Sequence, residues 1–164
     1  MKSRGDEYMK KMIMALGYIF LAIIVIMSIG IAMVAFLGKK LDKESKTFTD
    51  AAISAIVSEW DVGEIRKRAS PEFDETVDYN DLGQYFDALQ GLGMFEEYRG
   101  SKGEANIEIS FRSGYEITAD YIANADFEAG SVEIQLSLIK HGGKWQILDL
   151  SIRPEAHTEK KNVI

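Results

Sequence analysis

The chain has 164 residues, no cysteine and a formal net charge of −7. Without cysteine there is no disulfide, no thiolate metal site and no cysteine nucleophile. Charge is unevenly spread: residues 1–46 hold eight Lys/Arg against four acids, and the remainder holds 11 against 22. A region that acidic repels phosphate backbones, which argues against nucleic acid as a partner.

Residues 12–38, "MIMALGYIFLAIIVIMSIGIAMVAFLG", carry no charge. About 20 apolar residues cross a bilayer as a helix, so this run predicts a transmembrane helix with some tilt to spare. A secretory signal has an apolar core of roughly 7–15 residues and a small-residue cleavage site. This run is too long, and "VAFLGKK" offers no convincing site. Lys2, Arg4, Lys10 and Lys11 precede the run, and Lys39, Lys40, Lys43 and Lys46 follow it, so the positive-inside rule has little asymmetry to read. A short basic N-terminus before a first helix usually stays cytoplasmic, which predicts residues 39–164 in the periplasm or at the cell surface. Ser28, Ala32 and Ala35 share one helix face through i, i+4 and i+7 spacing, and a partner helix would approach closely there. Small residues are also simply frequent in membrane helices.

Beyond residue 39, Leu41, Phe48, Ala52, Ile56 and Trp60 recur at helical spacing. Thr47 or Thr49 would cap a fresh helix, or one helix continues out of the membrane; either way it ends near Trp60-Asp61. A short helix is predicted over 63–69, stopped at Ser70-Pro71. A third is predicted over 81–92, capped by Asn80 or Asp81, with Leu82, Tyr85, Phe86 and Leu89 on one face and Gly91 or Gly93 at its end.

From Phe95 the period becomes two. Ile107, Ile109 and Phe111 alternate with polar residues up to a turn at Ser113-Gly114. The run from Tyr115 to Phe127 alternates for 13 residues, Glu128-Ala129-Gly130 turns, and a strand around Val132 to Leu138 follows. Gly142-Gly143 turns again before a last strand, 145–152. In that strand the rhythm slips: Trp145 and Ile147 share one parity, while Leu148, Leu150 and Ile152 share the other. A β-bulge between Ile147 and Leu148 explains the slip and bends the strand. The fold class expected is therefore α+β, about three helices packed on a curved antiparallel sheet of four to five strands, over 47–153, with a polar tail from 154.

On helix order, on "ASPEF" after the second helix, and on "ADFEAGSVEIQLSLIKHGGKWQILDLSI" at the end, the chain resembles the nuclear-transport-factor-2-like superfamily, the cystatin-like α+β roll. The resemblance covers about 45–153. It implies fold and not activity, because that superfamily includes isomerases, dehydratases, transport adaptors and noncatalytic subunits. Inner-membrane scaffold proteins of type IV secretion systems are similar in architecture, one N-terminal membrane helix followed by this roll. That likeness carries over no residues.

Catalytic members of the superfamily use the cone between sheet and helices. Asp120 on its inner side, with Tyr79, Tyr85 or Tyr121 as donor, would make a candidate ligand cone; the simpler reading turns Asp120 to solvent. His141 lies in a predicted turn and His157 in the tail, and neither has ligand-spaced partners. Asp74, Glu75, Asp78 and Asp81 form an acidic loop whose spacing fits no calcium pattern. Arg66, Lys67 and Arg68 are the one basic cluster beyond the juxtamembrane region, either a contact patch for an acidic partner or a solvated helix face. The aromatics Phe48, Trp60, Phe73, Tyr85, Phe86, Tyr115, Tyr121, Phe127 and Trp145 fall mostly on predicted buried parities.

No catalytic, cofactor-binding or metal-ligating set is assigned, and no cofactor is expected. The function expected is a single-pass, membrane-anchored, noncatalytic accessory or scaffold subunit of a membrane or cell-envelope complex. Its expected partners are other subunits, membrane lipids and, as one option, further copies of itself. A tethered ligand-binding protein or enzyme using the cone is the alternative. A pilin-like or secretion-system component is the weaker one, since "RGDEYMKKM" lacks the cleavage-site phenylalanine, and the glutamate following it, that a pilin would have.

Overall fold

The computed structural model describes residues 4–110 and 114–155. Phe111, Arg112, the Ser113 part of the predicted turn, His157 and the tail from 156 lie outside the described residues. Helix α1 (Arg4–Glu59) is followed by α2 (Val62–Arg66), α3 (Pro71–Thr76), α4 (Tyr79–Leu89) and a 3-10 turn (Gln90–Leu92). Strands β1 (Phe95–Ser110), β2 (Gly114–Phe127), β3 (Gly130–His141) and β4 (Lys144–Glu155) form one antiparallel sheet in the order β1-β2-β3-β4. The class is α+β, as the periodicities predict. The chain divides into two compact units, Met1–Lys40 and Leu41–Ile164.

The first unit is helical. No proline precedes Pro71, so the backbone donors of α1 are all available for its ladder. Large apolar side chains from Met12 to Leu37 are between 44% and 73% exposed, all round the helix. By length and composition this helix is long and apolar enough to cross a membrane.

In the second unit, α1 continues through Thr47 and Thr49, so neither caps a new helix. The Thr47 hydroxyl instead donates to the Lys43 carbonyl at 2.8 Å, one turn back. The helix ends at Glu59 because Trp60 takes a left-handed φ of 52°. Ala52, Ile56 and Trp60 of the predicted stripe are buried, and Leu41 and Phe48 pack against the same core.

Two boundaries differ from expectation. Ser70-Pro71 starts a helix and does not end one: Ser70 Oγ accepts from Phe73 N at 3.2 Å, and Pro71 occupies the first position, where its missing N–H costs nothing. The preceding helix stops at Arg66 and not at 69, and α3 is a short helix that the periodicity does not predict. Helix α4 begins earlier than expected, capped by Asp78, whose carboxylate accepts from Asn80 N at 2.7 Å; Asn80 and Asp81 lie inside the helix.

The bulge is present in β4. Ser137 pairs with Asp149 and Leu138 with Ile147, so Leu148 is the unpaired extra residue. Trp145 and Ile147 are buried before it; Ile152 is buried and Leu150 half-buried after it. Leu148 itself stays outside the core cluster, a correction to its expected inward parity. At the bulge the free edge of β4 is met by the 68–70 segment: Ile147 N donates to Arg68 O at 2.7 Å and Ser70 N to Ile147 O at 2.9 Å. Gly142 and Gly143, at φ 55° and 82°, make the tight β3–β4 turn that two left-handed residues allow.

Candidate functional site

Between sheet and helices, side chains of both layers meet in one buried core cluster. Tyr121, Phe73, Phe86, Ile53, Ile56, Ile65, Ile134 and Leu136 are all at most 2% exposed. Burying each contributes about 1.5–3 kcal/mol. Along β2 the even positions point outward, and Asp120 is exposed on the outer face, accepting from Ser137 Oγ at 2.6 Å. There it borders a shallow depression of about 340 Å³ with Lys102, Gln135 and Ser137.

The expected cone residues therefore do not converge. Tyr121 points inward, its hydroxyl 2.8 Å from Ser45 Oγ and donating to the Asp42 carbonyl at 3.2 Å. Tyr85 is 40% exposed, a correction to its buried parity, and its hydroxyl donates to the Ile152 carbonyl at 2.7 Å. Tyr79 donates to the Asp74 carboxylate and lies under the Arg66 guanidinium at 4.2 Å. Burial and the Asp74 bond push the Tyr79 phenol up to about 12. Tyr115, also assigned a buried parity, is 75% exposed.

The basic cluster is likewise divided. Arg66 stacks on Tyr79, while Lys67 and Arg68 both pair with Glu64, Arg68 Nη1 lying 2.5 Å from its carboxylate. Bonds from Lys67 and Arg68 hold the Glu64 carboxyl below the ordinary range. Of the acidic loop, Asp78 serves as a helix cap and Asp74 as a tyrosine acceptor. Among the described residues no three His, Asp or Glu side chains group as a metal set. His141 is exposed, its Nε2 3.6 Å from Glu72.

Two features were not legible as spacing. The first is a polar clamp between α1 and the free edge of β1. Asp50 Oδ1 accepts from Tyr98 OH at 2.7 Å, Ser101 Oγ at 2.5 Å and Ser101 N at 3.2 Å. Lys46 Nζ donates to the Ser101 carbonyl at 2.7 Å, and Asp42 Oδ1 accepts from Ala105 N at 2.9 Å. Side chains of the helix thus occupy edge groups that another strand would otherwise pair with. No sequence motif marks it, because its members lie about 50 to 60 positions apart.

Burial raises the Asp50 carboxyl, but bonds from Ser101, Tyr98 and Lys46 outweigh it and hold the group below its ordinary 3.8. A carboxyl depressed on folding adds stability above the unfolded pKa, and that contribution disappears as pH falls through the folded value. Asp50→Asn is expected to be less stable than wild type near neutral pH. The gap should narrow between about pH 5 and about pH 2, read by urea denaturation of the full chain in detergent. Asp50→Ala, which strands Tyr98 and Ser101, should cost about 2 kcal/mol.

The second feature is a cleft of about 390 Å³ where α1 ends, lined by Val57, Trp60, Met94, Phe95 and Phe127. Trp60 stacks on Phe127 at 5.2 Å and tilts against Phe86 at 5.3 Å. The buried Trp60 indole N–H has no hydrogen-bond partner among the described residues.

On the first unit, Met27, Gly30, Ile31, Val34 and Ala35 line a shallow apolar groove. Of the expected small-residue face, Ala35 borders this groove, whereas the Ser28 hydroxyl is spent on the Ile24 carbonyl at 2.8 Å. Comparison with protein-family models, with curated proteins and with solved structures finds no match for this chain.

Proposed function

We propose that this protein is a single-pass membrane-anchored, noncatalytic accessory or scaffold subunit of a membrane complex. The observation that carries the reading is the apolar run 12–38, whose large apolar side chains are solvent-exposed on every face of α1 and find no cover among the described residues. Lipid supplies that cover, since leaving a run of this length in water forfeits about 25 cal/mol per Å² of apolar surface. The apolar core between sheet and helices, with Asp120, Tyr85 and Tyr121 held apart by separate partners, supports a docking role over one based on an internal substrate site. The N-terminus is cytoplasmic in this reading and the roll lies on the opposite side, where it and the membrane helix meet other subunits.

A chain without cysteine suits a topology test. In intact cells, Ala129→Cys should react with a membrane-impermeant maleimide and Ser3→Cys should not. Membranes dissolved in mild detergent should yield the protein in an assembly larger than a monomer. A protein extracted by alkaline carbonate is not anchored, and one found only as a free monomer is not a subunit.

The cleft beside Trp60 favours a second reading, a tethered binder of small apolar ligands. Such a ligand would alter Trp60 fluorescence in the Trp145→Phe background, and Met94→Glu at the cleft would abolish the change.

A further inference from the structure

We propose that the distal part of the β1–β2 hairpin, beyond Ala105, lies in the headgroup layer of the bilayer, its Ile107, Tyr115 and Ile117 face toward lipid. The inference rests on the anchor reading above and deepens it. Within the second unit the clamp fixes a direction. Helix α1 bonds β1 at Asp50 with Ser101, and again at Asp42 with Ala105. Eight helical residues cover about 12 Å, and four strand residues cover about 13 Å. Strand β1 therefore runs beside α1 back toward Leu41, so the hairpin's far end and Leu41 lie at the same end of this unit.

Leu41 is also where the chain arrives from the apolar run, which ends three residues earlier at Gly38. The paired strands continue past Ala105 to the Ser110↔Gly114 pair, five residues or about 17 Å further. The hairpin's far end thus lies at the end of the unit whose first residue, Leu41, follows the apolar run by three positions.

Its surface fits that position. Inward-facing positions of β2 are buried at Ala119 (0% exposed), half-buried at Ile117, and 75% exposed at Tyr115. Ile107, paired with Ile117, is 50% exposed. The apolar face of the sheet therefore outruns the core that covers it. The opposite face carries the exposed Glu108 and Glu116 in this segment, with Glu104 and Asp120 just before it. A hairpin apolar on one side and acidic on the other sits in the interface and does not cross it. Tyrosine prefers that layer, where its ring is shielded and its hydroxyl stays wet. The acidic face also predicts that zwitterionic lipid suffices, since anionic headgroups would repel it.

The test uses the full-length chain in phosphatidylcholine vesicles, with an environment-sensitive fluorophore on a single cysteine and brominated lipid as quencher. Ile107→Cys and Tyr115→Cys should be quenched at least twofold by lipid brominated near the headgroup. Ala129→Cys, in the β2–β3 turn at the other end of the unit, should not respond. Ile24→Cys in the apolar run separates the two readings. Quenching at 24 without quenching at 107 and 115 overturns the hairpin proposal and leaves the anchor standing. No quenching at any of the three overturns both. A spectral shift at 115 that grows with protein-to-lipid ratio, without lipid quenching, assigns the face to a second copy of the chain and also overturns it.

Discussion

Gly103→Ala is expected to cost more than about 4 kcal/mol, at the upper end of what single substitutions do. A β-carbon at Gly103 would stand 1.9 Å from the Asp120 carbonyl oxygen and 2.8 Å from the Tyr121 Cα. Both are backbone atoms of the neighbouring strand, so no side-chain rotation relieves the clash and β1 must leave β2. That pairing includes Ala105 and Ser101, through which α1 is clamped, so the loss spreads to the docking of the helix. Gly83→Ala is the control: in mid α4, with nothing within 4 Å of its β-carbon, it should stabilise by about 0.5–1 kcal/mol through helix propensity. Urea denaturation of both full-length variants in the same detergent checks the opposite signs. Equal small effects would remove the close approach from the account of this sheet.

Trp60→Ala is expected to destabilise by about 4 kcal/mol, because an indole packed on Phe86 and Phe127 leaves a cavity that the curved sheet does not close. The backbone adds a sharper test. At a helix interior, glycine is about 1 kcal/mol worse than alanine. Trp60, however, holds φ at 52°, where a β-carbon is itself strained. Trp60→Gly should therefore be more stable than Trp60→Ala, the reverse of the helix order. An alanine variant that is the more stable would show that the left-handed turn at the end of α1 is not retained.

The two periodicities explain why the fold class was legible. Period two from Tyr115 to Phe127, and the turn residues Gly142 and Gly143, leave few alternatives to an antiparallel meander. The parity slip at Ile147 and Leu148 was a local pattern, so the bulge in β4 was legible too. Helix α3 was not, because serine followed by proline reads equally as a stop before the proline or as an N-cap followed by a first-turn proline. What decided between them was Ile147, whose backbone is met by residues 68–70 and which no local pattern connects to Ser70.

The candidate site divides along the same line. A transmembrane-length helix is a property of consecutive residues, so composition alone determined that the run 12–38 is long and apolar enough to span a bilayer. Alternation alone determined the sheet. Which side of the sheet Asp120 faces, that Asp50 holds the edge of β1, and that Ile107 and Tyr115 outrun their cover were decided only by tertiary structure. The physical reason is that each depends on where a helix stops covering a sheet, a distance set by residues some 50 positions apart in sequence.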